Sequence, residues 1–221
     1  MEAIVPILPI ALAAALSSVP IMASIFILLS PNRGRAALPF LVGWVVGIFV
    51  VLFLFTLLAQ GVPTSRSPRR PDTVIAALQI FFGVAIIGVA AWSWVRSRHQ
   101  TRSTGAKWLK KVDRFGPWPA LGLGFVLNLR PKGLLLAGAA GLSIRADTEA
   151  ASSALLAITI YTLIAASTVA APVIATLAAP ARMEPRLVRV QSWMSRNGEA
   201  LTSVILALIG VVIVVMGIAR W

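Results

Sequence analysis

The segment that decides the fold runs from Trp118 to Ile144 and reads WPALGLGFVLNLRPKGLLLAGAAGLSI. Its flanks are apolar, and together they exceed the ~20 helical residues needed to cross a hydrocarbon core of about 30 Å. At its centre stand Asn128, Arg130, Pro131 and Lys132, about a dozen residues from either end. A cation at that depth costs about 2.5–3.5 kcal/mol on insertion scales, so two of them call for a polar cavity or a partner. Pro131 removes a backbone donor and frees a carbonyl one turn earlier, and its fixed φ suits the first position of a new helix. The spacing predicts a span broken in two, whose second half starts at Pro131. Its N–H groups and positive dipole end then lie in the membrane interior beside Arg130 and Lys132. The bland alternative is a proline kink with both cations snorkelling to an interface.

Five further apolar runs surround this one, at 4–30, 37–60, 73–95, 151–179 and 200–219, each long enough to span. The chain is 58% hydrophobic and only 12% charged, against roughly 25% charged in soluble domains, so a soluble fold has nowhere to hide its apolar surface. The expected fold is an all-α integral membrane protein with about six transmembrane helices. Six spans leave only short loops, so residues 1–221 are expected to form a single membrane domain. The net charge of +13 resides between the apolar runs rather than on one soluble face, which argues against nucleic acid as a partner. Cysteine is absent, which excludes disulfides, thiol catalysis and thiolate metal sites. The amino-terminal run carries Glu2 and no basic leader region, and is expected to stay as the first span.

Connections between six spans alternate between two sides. Thirteen basic residues fall on one side, seven of them in the connection 96–117, and five on the other, while Arg130 and Lys132 lie inside a span. The bias places the first side in the cytoplasm and both termini outside it. The long basic connection divides the chain into a first half, 1–95, and a second half, 118–221. With three spans in each, the halves must be inverted relative to one another. A weak internal likeness accompanies this: GVAIIGVAAWSW at 83–94 matches GVVIVVMGIARW at 210–221, aligning Gly83 with Gly210. Residues 107–115 and 186–197 each show apolar residues at helical spacing among basic ones, and read either as short helices at headgroup level or as solvated basic loops.

In the first half, Ser17-Ser18-Val19-Pro20 offers a counterpart to the break at Pro131. Serine hydroxyls there are expected to cap a second half-helix starting near Pro20, whose N-terminus also aims at the midplane. Ser17, Ser18, Pro20, Asn128, Arg130, Pro131 and Lys132 are accordingly the candidate substrate-binding residues. Positions four apart share a helix face, which puts Asn128 and Lys132 toward the cavity and turns Arg130 away. Gly43 and Gly47 read as a close helix-packing pair. Gln79, Thr159, Tyr161, Thr162, Ser167 and Thr168 read mainly as interhelical hydrogen-bond partners, and Pro172 either breaks the fifth span or is accommodated in it. All seven acids lie in loops or at span ends, and the lone His99 sits in the basic connection. No catalytic residue, metal site or cofactor is expected, and a transporter suits the pattern better than an enzyme.

Two segments resemble a known family: SPNRGRAALPFLVGWVVG at 30–47 and GFVLNLRPKGLLLAGAAGLSI at 124–144 look like the signature regions of the peptidoglycolipid-addressing and sulfolipid-addressing proteins. That group is similar in turn to the superfamily of small exporters typified by the lysine exporter, whose fourth span carries an Asn-Pro-Lys motif. Asn128, Pro131 and Lys132 match it, with Leu129 and Arg130 interposed. Asn32, Arg33 and Gly34 fall at the family's first cytoplasmic turn, which makes Asn32 and Arg33 candidate gate or headgroup contacts. The resemblance implies an actinobacterial inner-membrane protein that exports or flips an anionic or sugar-bearing envelope lipid. Its expected partners are membrane lipids, an anionic or glycosylated lipid substrate, a larger lipid exporter and a second copy of the chain. The alternatives are efflux of an amino acid or other small solute, and a non-transporting assembly partner of a larger lipid exporter.

Overall fold

A computed structural model describes residues 4–61, 73–97, 116–147 and 150–219. Among the described residues eight α-helices follow one another: α1 Ile4–Ala15, α2 Ser18–Leu29, α3 Arg33–Gln60, α4 Thr73–Ser97, α5 Pro117–Val126, α6 Pro131–Asp147, α7 Ala151–Ala178 and α8 Pro180–Ala219. A single 3₁₀ turn, Leu127–Leu129, lies between α5 and α6. Helices α3, α4 and α7 and the stretch Ala200–Ala219 of α8 are each long and apolar enough to cross a membrane. The pairs α1–α2 and α5–α6 qualify as two more spans, bent by 43° and 64°. Leucines 58, 163 and 208 are among many large apolar side chains left exposed, as a lipid-facing surface requires. The chain is an all-α integral membrane protein with four to six spans.

The two breaks have different chemistry. At Ser17 the backbone turns extended with ψ 118°, and α2 starts at Ser18, two residues ahead of Pro20. The serine hydroxyls do not cap it. Instead, the Ser18 N–H donates 3.2 Å to Thr202 Oγ1 on α8, which replaces the local cap expected from sequence. At Arg130 the backbone is again extended, with φ −70° and ψ 147°, and α6 begins at Pro131. That is where a proline at the first helical position belongs.

Glycine sets the distances between helices. A Cβ on Gly124 would meet the backbone of Phe40, Gly43 and Trp44, and one on Gly43 the backbone of Leu121, so α3 and α5 touch main chain to main chain. Gly47 lies against the Asn128 side chain. Across α4 and α8, a Cβ on Gly83 would approach Gly210 O to 2.9 Å, and one on Gly210 would approach Gly83 O to 2.9 Å. The two glycines aligned in sequence thus face each other in space. Small residues of this kind let backbones approach where lipid leaves little hydrophobic drive for association.

Two elements differ from expectation. Residues 186–197 are neither a separate interfacial helix nor a loop; they are part of the continuous 40-residue α8. At about 1.5 Å per residue α8 is about 60 Å long, twice the hydrocarbon thickness. Leu187 and Met194 pack inward while Val190 is exposed, because the buried stripe follows contact with α2 rather than a membrane surface. Pro172 does not break α7. The helix carries it, and Thr176 Oγ1 donates 2.6 Å to the Pro172 carbonyl. The amphipathic segment 107–115 and His99 lie outside the described residues.

Candidate functional site

Where the two breaks meet, a cavity of about 200 Å³ opens in the middle of the helical bundle. Ser17, Ser18 and Pro20 line it from the first break, and Asn128, Arg130, Pro131 and Lys132 from the second. Asn32 and Arg33 do not line it. They sit at the start of α3, where the exposed Arg33 Nη1 pairs with Glu184 Oε2 at 3.5 Å and ties that turn to the start of α8. An exposed pair of this kind contributes at most about 1 kcal/mol.

Asn128 is 7% exposed and directs its amide nitrogen away from bulk ligand space. Nδ2 lies 3.1 Å from Gly124 O and 3.3 Å from Trp44 O, with Phe125 O at 3.5 Å, so it stitches the 3₁₀ turn to α3. Gly133 completes the junction, since a Cβ there would come to 2.6 Å from Asn128 O. Sequence spacing turned Arg130 away from the face shared by Asn128 and Lys132. In the structure Arg130 lines the same cavity, because the extended backbone at 130 interrupts the helical register on which the four-residue rule depends.

The cavity's charge is unbalanced. Among the described lining residues, Arg130 and Lys132 are cationic and none is a carboxylate, and neither cation makes an ion pair or hydrogen bond with a described residue. The N-terminus of α6 adds its unpaired amides and the positive end of its dipole. The N-terminus of α2 adds less, since the Ser18 N–H is already donated to Thr202 and Pro20 has none to give.

Trp44, Trp92 and Thr202 also line the cavity, as does Tyr161, expected from sequence mainly as an interhelical hydrogen-bond partner. Trp44 is 5% exposed, and its indole Nε1 is buried with no hydrogen-bond partner. Buried polar groups are nearly always satisfied, which makes this N–H an exception among the described residues. Its place beside Gly43 in the tight α3–α5 contact was the only sequence signal. Thr202 carries none, since its role arises from a partner 184 residues away. The remaining intramembrane hydroxyls turn inward locally: Thr162 and Ser167 bond their own helix, whereas Thr168 Oγ1 reaches Ala15 O across to α1 at 2.6 Å.

The family described as Sap, sulfolipid-1-addressing protein, matches residues 7–219. No curated protein and no solved structure matches the chain.

Proposed function

Because the chain belongs to the sulfolipid-1-addressing protein family, we propose that it exports or flips an anionic or sugar-bearing envelope lipid through the cavity between its two helix breaks. The observation that carries this reading is the cavity lining, with two cations that have no ionic partner and no carboxylate among the described residues. Each cation costs about 2.5–3.5 kcal/mol at membrane depth and is retained where a ligand or pathway uses it. An anionic headgroup supplies the missing countercharge through charge-assisted hydrogen bonds. A zwitterionic amino acid fits less well, since its ammonium group finds no carboxylate in the lining. A described lining without a carboxylate disfavours small-solute efflux and the carry-over of substrates from the lysine exporter.

On this reading the chain is one membrane domain of the bacterial inner membrane, and its halves form an inverted repeat. The mutual approach of Gly83 and Gly210 supports the repeat, since equivalent residues meet at a two-fold axis. So does the presence of one broken span in each half. No cofactor or catalytic step enters this reading. Partner candidates remain a larger lipid exporter and a second copy of the chain.

Two outcomes follow. Deleting the gene should deplete one anionic or glycosylated lipid from the outer envelope and leave it on the cytoplasmic side. Unchanged envelope lipids together with an accumulating cytosolic solute would sink lipid export. For topology, cysteines introduced at Ser103 and Asp147 should label from opposite sides, Asp147 from outside, with both termini outside as well. Reaction of the Ser103 cysteine with an impermeant reagent in intact cells would reverse the orientation.

A further inference from the structure

The lipid reading leaves open how a molecule with acyl chains reaches a small polar space, and this inference rests on that reading. A cavity of about 200 Å³ is below the ~300–1,000 Å³ of ordinary ligand pockets. At about 30 Å³ per water it holds roughly six or seven waters, enough for a phosphate- or sulfate-sized group but not for two chains. The chains must stay outside, so the cavity needs an opening toward lipid.

Most of the lining is buried or half-buried. Three lining residues are exposed: Trp92 on α4, at 62%, and Arg130 and Pro131 at the second break. Helix α4 packs along α6 and α8, and α5 packs along α3, but among the described residues α4 and α5 do not pack along each other. The exposed faces of both helices are apolar, with Val84 and Val95 on α4 and Trp118 and Val126 on α5. Trp92 and Trp94 near the end of α4 and Trp118 at the start of α5 are amphipathic rings of the kind that settle at a membrane interface.

We propose that the exposed rim of the cavity at Trp92 and Arg130 is a lateral portal through which an anionic lipid places its headgroup on Lys132 and Arg130, while its acyl chains remain in the bilayer along Trp92. Of the two cations that line the cavity, Arg130 is exposed and Lys132 is half-buried. A headgroup that enters at the exposed Arg130 therefore has a second cationic donor within the same cavity, which offsets the cost of leaving water.

The test uses the full-length protein in phosphatidylcholine vesicles doped with phosphatidic acid. A photoreactive benzophenone side chain replaces Trp92 in one protein. In a second it replaces Leu163, which is 66% exposed on α7 and does not line the cavity. The portal predicts selective cross-linking of phosphatidic acid at position 92, with no enrichment at 163. Adding Lys132→Ala should cut the labelling at 92 by about tenfold, as loss of one charge-assisted hydrogen bond implies, and leave that at 163 unchanged. Equal labelling at both positions, untouched by Lys132→Ala, would overturn the portal even if the vesicles still translocated lipid. Competition at 92 by soluble glycerol 3-phosphate as effective as that by phosphatidic acid would mean entry from water, and would overturn the lipid reading along with the portal.

Discussion

Lys132→Ala is expected to reduce lipid translocation by about tenfold or more while leaving the purified protein as stable as the parent, or more so. The first half follows from one lost charge-assisted contact to an anionic headgroup, about 1.5–3 kcal/mol of binding. The second follows because Lys132 lines the cavity with no ionic partner among the described residues, so its removal relieves a desolvation cost and breaks nothing. Lys132→Arg should restore function only in part, since a planar fork does not replace a compact ammonium in a space of about 200 Å³. Translocation rates in vesicles and a thermal melt in detergent, measured on the same preparations, check both halves. Normal transport by Lys132→Ala would remove this residue from the site. Failure of the variant to fold would identify a structural role instead.

Gly124→Val should be among the most damaging single changes to the fold. Its Cβ would meet main-chain atoms of Phe40 and Gly43 on α3 and come within 2.8 Å of the Trp44 backbone nitrogen, none of which can rotate out of the way. Overpacking costs about 1–3 kcal/mol and more where backbones are in contact. The displaced α5 would also carry the 3₁₀ turn with it, breaking the Asn128 bond to Trp44 on α3. Gly122→Val is the control on the same helix: nothing lies within 4 Å of its Cβ, so it should change the melt little. Equal melting temperatures for the two variants would contradict the close α3–α5 contact.

What the sequence revealed and what it concealed divide along physical lines. The break at Pro131 was legible because a proline between two cations in an apolar run leaves few structural options, and all seven nominated binding residues do line one cavity. Apolar length gave an expectation of about six spans, the upper end of the four to six that the described helices allow. The glycine likeness between 83–94 and 210–221 pointed at residues that meet, although nothing local in sequence specified their contact. Tertiary partners were not legible. Thr202 takes the capping role that the serines were expected to fill, and α8 runs unbroken through 186–197 because α2 offers its apolar stripe a packing surface. Arg130 was turned the wrong way because a rule for regular helix was applied across a break. The orphaned Trp44 N–H is a property of packing alone, and no pattern in a sequence marks a donor that has lost its acceptor.

The central claim, that this chain itself moves an anionic lipid between leaflets, is tested most directly by reconstituting it alone. Purified protein is placed in phosphatidylcholine vesicles carrying a trace of fluorescent phosphatidic acid, and the dye in the outer leaflet is quenched chemically over time. Protein-free vesicles should protect about half of the signal, because half the lipid starts in the inner leaflet and stays there. The account predicts that the intact protein carries the inner-leaflet pool outward, so that quenching runs beyond that level, and that Lys132→Ala returns it toward the protein-free curve. Quenching that stops at the protein-free level with a correctly folded protein would contradict the account and leave the chain as an assembly partner for a larger exporter.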